Sequence, residues 1–211
     1  MILQTLRVGP LAVNCYVVGD EKTREVIVID PGGNVREIVD SIRQTRGRVG
    51  AIVLTHAHFD HVMGVAGVKN ETGAPLCVSA AEEKIMATTE RQGQAFGIAV
   101  PPLPPVDRWL EEGDIVQAGA LELQVILTPG HTPGGICLWG ESENILFSGD
   151  TLLHGSIGRA DFPGGSMEAL LHSIRKKLLV LPNETIVYPG HGVVTTIGEE
   201  KMLNPFLKNY V

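Results

Sequence analysis

Two β-sheets faced by helices, an α+β arrangement, is the architecture that this sequence predicts. Three observations lead there. Strand-like runs outnumber helical ones, and each half of the chain passes through strands before it reaches a helix. In addition, 25 Gly and 13 Pro in 211 residues break the runs into short pieces joined by tight loops. A doubly wound parallel sheet, in which strand and helix alternate throughout, fits this order less well. A chain of this length can bury one sizeable core, and residues 1–211 are read as a single domain.

The chain opens with three strand signals, ILQTLRV (2–8), NCYVV (14–18) and EVIVID (25–30), separated by Gly9-Pro10 and by the turn-forming Gly19-Asp20-Glu21-Lys22. Asp30-Pro31-Gly32-Gly33 stops the third run. Over residues 35–45 the apolar Val35, Ile38, Val39 and Ile42 recur at helical spacing, and Gly47 and Gly50 end the helix. AIVLT (51–55) is short, continuous and β-branched, as a buried strand is. PLCVS (75–79) follows as a strand and residues 80–88 as a short helix. Residues 89–108, with PPLPP inside, show little periodicity and read as a surface excursion, either a rigid connecting loop or the wall of a pocket. LELQVIL (121–127), GICLWG (135–140) and NILFSG (144–149) are further strands. Ser166 is placed to N-cap a helix whose Leu170, Leu171, Ile174 and Leu178 form one stripe, with Glu168 early and Lys176-Lys177 late to suit the helix dipole. TIVYPG (185–190) is the last strand, and Thr196-Ile197-Gly198-Glu199 is a capping-box pattern that opens a final helix.

Composition narrows the class of function. Apolar residues at 44% against 19% charged describe a globular chain. The formal charge is -7, from 17 Lys+Arg against 24 Asp+Glu, and no basic cluster exceeds Arg175-Lys176-Lys177, so no nucleic-acid partner is expected. No apolar run reaches the roughly 18 residues of a membrane span. The opening MILQTLRVGPLAVN has neither the basic end nor the long apolar stretch of a signal peptide, and a cytoplasmic location away from the membrane is expected. Cys15, Cys77 and Cys137 are too few and too scattered for a disulfide framework and read as small buried hydrophobes.

Chemistry gathers around histidine. Five of the seven histidines sit at the ends of predicted strands beside aspartates or glycines. The densest group is Thr55-His56-Ala57-His58-Phe59-Asp60-His61, four ligand-type side chains within six residues just past a buried strand. Neutral imidazole and carboxylate suit zinc, iron or manganese. His131 and His191 each follow a strand broken by Pro-Gly, and Asp150 ends another apolar run. The candidate ligands are therefore His56, His58, Asp60, His61, His131, Asp150 and His191. A catalytic zinc takes about three protein ligands and keeps one position open. Seven ligands divide as three, three and a shared carboxylate, whose two oxygens can serve both ions at the roughly 3.5–4 Å separation of two-metal sites. Two divalent metal ions per chain are expected, zinc ahead of iron and manganese. His172 lies off the apolar stripe of its helix and reads as solvated. His154, four residues after Asp150, reads as a loop residue bordering the site.

THAHFDH, PGHTPG, GDT and YPGHG together resemble the metallo-β-lactamase superfamily over essentially the whole chain. GDTLLHGSIGRADFPGGS with PGHGVVTTIGEEKMLNPFL is similar to its glyoxalase II-like branch of small thioester hydrolases. The resemblance implies a four-layer αββα sandwich with metals in a cleft along the sheet edges. It assigns His56, His58 and His131 to one metal site, Asp60, His61 and His191 to a second, and Asp150 to the bridge.

The implied reaction is hydrolysis of a thioester such as S-lactoylglutathione by a hydroxide held between the cations, with Asp60 orienting it as well as binding metal. The partner is thus a small-molecule thioester, and the protein a monomer or homodimer. Glyoxalase II proper continues into a helical region that helps to hold glutathione, whereas this sequence reaches Val211 soon after NPFL. The family's Lys and Tyr in the loop after the bridging Asp are replaced by Gly158-Arg159-Ala160-Asp161-Phe162. Tolerance of other thiol carriers is therefore expected, with Arg159 meeting a substrate carboxylate or else pairing with Asp161. The Gly-Arg-x-Asp-Phe stretch also occurs in persulfide dioxygenases. The alternatives are thus a one-iron oxygenase using His56, His58 and Asp150 or His131, a lactonase, and a metal-binding module without catalysis.

Overall fold

The computed structural model describes residues 1–208; Asn209–Val211, the end of the expected 1–211 domain, lie outside the described residues. The first sheet contains β1 (Ile2–Val8), β2 (Val13–Gly19), β3 (Glu25–Ile29), β4 (Arg48–Val53), β5 (Leu76–Ser79) and β6 (Arg108–Leu110), hydrogen-bonded in that order. The first three strands pair antiparallel, and β3 to β6 run parallel. The chain then forms β7 (Ile115–Ala118), β8 (Leu121–Leu127), β9 (Ile136–Gly140) and β10 (Ile145–Gly149) as an antiparallel meander. A two-stranded hairpin follows, β11 (Leu152–Leu153) with β12 (Ser156–Ile157). Then β13 (Ile186–Pro189) joins β10 in parallel and β14 (Thr195–Thr196) closes the second sheet.

Helices cover the outer faces. The first sheet carries α1 (Val35–Thr45), the short turn α2 (Phe59–Val62) and α3 (Val65–Thr72), followed by α4 (Glu83–Met86) and α5 (Thr89–Ala95). The second carries α6 (Met167–Ser173), which runs on as a π-helical turn over Ile174–Leu178, and α7 (Ile197–Leu203). The apolar residues sort into three layers accordingly. Ile38, Ile42, Val65 and Val68 pack on Val13, Cys15 and Val17. Tyr16, Val18, Ile27 and Val53 meet Leu123, Val125, Leu138 and Phe147 between the sheets. Leu170, Ile174, Leu178 and Ile197 pack on Cys137, Leu146 and Val187. β2 feeds two layers from alternate positions, which is why all seven of its residues are buried and its sequence does not alternate with polar side chains. This is the αββα sandwich expected from the resemblance.

The element boundaries agree where local chemistry is strong. The first helix occupies the expected residues; Ser166 Oγ accepts from the Ala169 N–H, and Thr196 Oγ1 from the Glu199 N–H. Two readings need correction. Residues 80–88 form a 3-10 turn (Ala80–Glu82) and the single-turn α4 instead of one helix. The surface excursion over 89–108 begins with α5 and ends in β6. Pro101–Pro105 within it line a groove with Met86, Glu90 and Trp109, apart from the histidine cluster. Helix α3 and strand β7 had no sequence reading at all. All three cysteines are free and buried, as expected. Among the described residues no helix is long and apolar enough to cross a membrane.

Candidate metal centre

Strand direction brings the candidate ligands together. β3 and β4 are parallel, so Asp30 and the 55–61 segment leave the same edge of the first sheet. β8, β10 and β13 share one direction, so His131, Asp150 and His191 leave one edge of the second. Main-chain hydrogen bonds from Ile136 N to Thr55 O and from Asn14 N to Gly190 O, both 2.8 Å, sew these two edges together. The approach is close enough to require glycine twice. A Cβ on Gly149, at φ +49°, would lie 2.4 Å from Thr55 Oγ1, and one on Gly190 would lie 2.3 Å from Asp150 Oδ1.

Two triangles of ligand atoms result. In the first, His131 Nε2 lies 2.9 Å from His58 Nδ1 and 3.2 Å from His56 Nε2. In the second, Asp60 Oδ2 lies 3.2 Å from His191 Nε2 and 3.8 Å from His61 Nε2. Asp150 stands between them: Oδ2 is 3.7 Å from His131 Nε2 and 3.6 Å from His191 Nε2, while Oδ1 is 3.6 Å from His61 Nε2. All seven sequence-derived candidates thus converge on one place. His56, Asp60, His61 and His131 are buried, and His191, with 27% of its side chain exposed, faces the open side.

Far-side hydrogen bonds orient three of the five rings. His131 Nδ1 donates to the Arg159 carbonyl at 2.6 Å, which leaves Nε2 with a lone pair. His61 Nδ1 donates to Asp30 Oδ2 at 3.0 Å. Thr55 Oγ1 donates to the same carboxylate at 2.6 Å and so accepts from His56 Nδ1 at 3.1 Å. Asp30 therefore orients one ring of each triangle, although sequence reading took it only as a strand terminator. Its oxygens also accept the Thr55 N–H at 2.7 Å, so it is spent as an orienting group. Its backbone sits at φ +50°, rare for a residue with a side chain. A carboxylate ending a strand, as Asp150 does, was the available signal. Asn14 and Tyr16 were also missed; they steady the His191 segment by donating to the Pro189 carbonyl at 2.9 and 2.6 Å.

Electrostatics divides the two triangles. Burial, reinforced by the neighbouring imidazoles, pushes His56 well below the ordinary histidine range and His58 to about 3. Burial opposes charge on His61 as well, but Asp60, Asp150 and Asp30 outweigh it and raise the ring to about 10. His191 is raised despite its burial, through Asp60 and Asp150. Burial likewise works against the Asp60 carboxylate, and His61 with His191 overcomes it, holding Asp60 at about 2. His61 Nε2 and Asp150 Oδ1 are buried without a hydrogen-bond partner. Such orphaned atoms cost on the order of 1–3 kcal/mol each unless something satisfies them. A divalent cation would satisfy both, and the imidazole–carboxylate donor set suits one.

The remaining candidates lie outside the triangles. The Arg159 guanidinium pairs with Asp161 through two hydrogen bonds of 2.9 and 2.7 Å and lies 4.2 Å above the Phe162 ring, whose own ring is 5.6 Å from His58. His172 is exposed on α6, as expected. His154 is exposed in the turn between β11 and β12, with Nε2 3.5 Å from Glu199.

With this fold and this cluster, the class follows: a sequence model of the metallo-beta-lactamase superfamily matches residues 8–191, and the chain belongs to that superfamily. Among its relatives is a Haemophilus influenzae protein named hydroxyacylglutathione hydrolase GloC. It is 35% identical over 211 residues, covering 99% of each chain. Two solved structures are similar throughout. The B3 metallo-beta-lactamase BLEG-1 has a TM-score of 0.91 at 35% identity, covering 98% of this chain and 100% of that one. The protein TTHA1623, in a di-iron-bound form, has a TM-score of 0.89 at 39% identity, with the same coverage. The GloC relative is consistent with the glyoxalase II-like branch.

Proposed function

We propose that the chain is a glyoxalase II-like thioester hydrolase that uses two divalent cations, zinc ahead of iron and manganese, and acts on S-lactoylglutathione-like substrates. The observation that carries this is the pair of ligand triangles joined by Asp150, with His61 Nε2 and Asp150 Oδ1 buried and unpartnered between them. The thioester class is supported by the GloC relative, and the use of two cations by the di-iron form of the similar structure. His56, His58 and His131 would hold one ion and Asp60, His61 and His191 the other. Bound there, the cations supply an activated water and Lewis acidity toward the carbonyl oxygen.

The residues around them do the positioning. Asp30 keeps the lone pairs of His56 and His61 aimed inward. Asp60, a carboxylate down to about pH 2, orients the attacking water by accepting its hydrogen bond and does not store a proton. Water adds to the thioester carbon, the C–S bond breaks, and a carboxylic acid and a thiol leave. Arg159 reaches the substrate carboxylate by exchanging its exposed bridge to Asp161, and exposed pairs of this kind contribute about 0–1 kcal/mol.

The test is thiol release from S-lactoylglutathione by zinc-loaded protein, with a β-lactam and glutathione persulfide as comparison substrates. Hydrolysis of the thioester is expected, abolished in His131→Ala and His191→Ala and retained in His172→Ala. Oxygen uptake with the persulfide and an inert thioester would replace this reading by the one-iron oxygenase. Opening of the β-lactam alone would move it to the lactamase branch.

A further inference from the structure

We infer that Glu82 is a positioning residue whose carboxylate sets the spacing of His56, His58 and His131 by clamping the two chain segments that carry them. Glu82 ends the 3-10 turn after β5 and is fully buried. Its Oε2 accepts the Ala57 N–H at 2.7 Å, and its Oε1 accepts the Gly134 N–H at 2.8 Å. Ala57 is the residue between His56 and His58, and Gly134 lies three residues past His131. One carboxylate thus ties the 55–61 segment of the first sheet to the connection between β8 and β9 of the second. Both oxygens are used, one on each segment.

Two further observations fit a clamp and not a packing accident. A carboxylate buried without a lysine or arginine partner is costly to keep, so its retention calls for a geometric return. The groups that act on Glu82 are the Ala57 and Gly134 amides, Thr132 and His131, with no Lys or Arg among them. Gly134 is also pressed against it. A Cβ there would lie 2.7 Å from Glu82 N and 2.9 Å from Glu82 Cγ, so the short hydrogen bond exists only because position 134 has no side chain. The imidazole nitrogens that the clamp would hold are 2.9 and 3.2 Å apart across these same two segments. A displacement of about 0.5 Å is enough to spoil such a constellation.

The inference rests on reading His56, His58 and His131 as metal ligands, and its test separates the two. Zinc is titrated against a chromophoric chelator in a His191→Ala background, which isolates the three-histidine site, and in a His58→Ala background, which isolates the other. Glu82→Gln is nearly isosteric but turns an amino group toward one of the two donors. Gly134→Ala breaks the same contact from the opposite side and leaves the carboxylate in place. Either variant should weaken zinc at the three-histidine site roughly 10–100-fold, the usual effect of losing an outer support, and leave the other site within about threefold.

In metal-free protein the Ala57 and Gly134 amides should exchange faster, while those of α1 keep their protection. Unchanged zinc affinity and unchanged amides in folded variants would overturn the clamp. So would an equal loss at both sites with a general fall in melting temperature, since Glu82 would then only stabilise the fold. If the parent protein takes up no zinc, the ligand reading fails on its own, and the two amides decide the clamp.

Discussion

A histidine offers a metal a lone pair only from a nitrogen without a proton, so proton and cation compete at every ring of this cluster. The competition is uneven. His58, held at about 3, and His56, depressed by burial, are neutral at pH 7 and have no proton to lose. His61, raised to about 10, and His191, also raised, carry protons there that a cation must displace. The sign follows. Lowering the pH from 8 toward 6 weakens binding at the Asp60–His61–His191 site, whereas His56 and His58 of the other site bring no proton that a cation must displace. Calorimetric zinc titrations in buffers of different ionisation enthalpy should show about one proton or more released at the second site and fewer at the first. Equal release at both would mean that the carboxylates around His61 do not hold its proton. This asymmetry was not legible in the sequence, where all five histidines look alike at strand ends; it arises from burial at His56 and His58 and, at His61, from Asp60, Asp150 and Asp30, the last lying 31 residues away in the chain.

At the scale of elements, end signals carried the reading further than periodicity did. Ser166 was recognisable because a serine precedes an apolar stripe, and its hydroxyl does accept from the Ala169 N–H at 3.2 Å. Its own N–H donates to the Gly130 carbonyl at 2.8 Å, which moors the start of α6 beside His131. Ser166→Ala removes the side-chain cap and keeps that main-chain bond. It should therefore lower stability to denaturant by about 1 kcal/mol and leave zinc binding unchanged. A loss of metal affinity in Ser166→Ala would instead tie the cap to the site. Helix α3 escaped notice because Gly64 and Gly67 stand where a stripe would be. Gly67 is required by packing, since a Cβ there would lie 2.6 Å from Val35 Cγ2. Strands β6 and β7 are only three and four residues long; Trp109 on β6 is exposed, and although β7 buries Val116 and Ala118 in alternation, the apolar Ile115 on its outer face hides that pattern in the sequence. Helix α5 was missed for a different reason: its sequence is polar, and its anchorage is the Gln92 side chain accepting the Phe59 N–H at 3.1 Å, a tertiary contact with the edge of the cluster.

Across the whole molecule, the candidate ligands are divided between two sheets that otherwise meet through an apolar layer. His56, His58, Asp60 and His61 follow β4, whereas His131, Asp150 and His191 follow β8, β10 and β13. The convergence of the seven candidates was readable from sequence because each follows a strand, and strand ends of like direction share an edge. The junction of the two edges was not, since it depends on contacts between residues far apart in the chain, such as Asn14 with Gly190. A cation bound at this seam links one sheet to the other and binds the unfolded chain far less well, so its binding free energy adds to the stability of the fold. At a free ion concentration about 1,000 times the dissociation constant, the gain is roughly 4 kcal/mol. For a chain of this size that corresponds to roughly 8–16 °C in melting temperature. Removing metal with a chelator should lower the melting point by about that amount, and added zinc should restore it. Asp150→Ala, which takes away the carboxylate that reaches both triangles, should melt close to the metal-free protein and recover little with zinc. A chelated protein that melts like the loaded one would show that the seam is closed by Asn14, Thr55 and the apolar layer alone, and that the seven side chains bind no ion tightly.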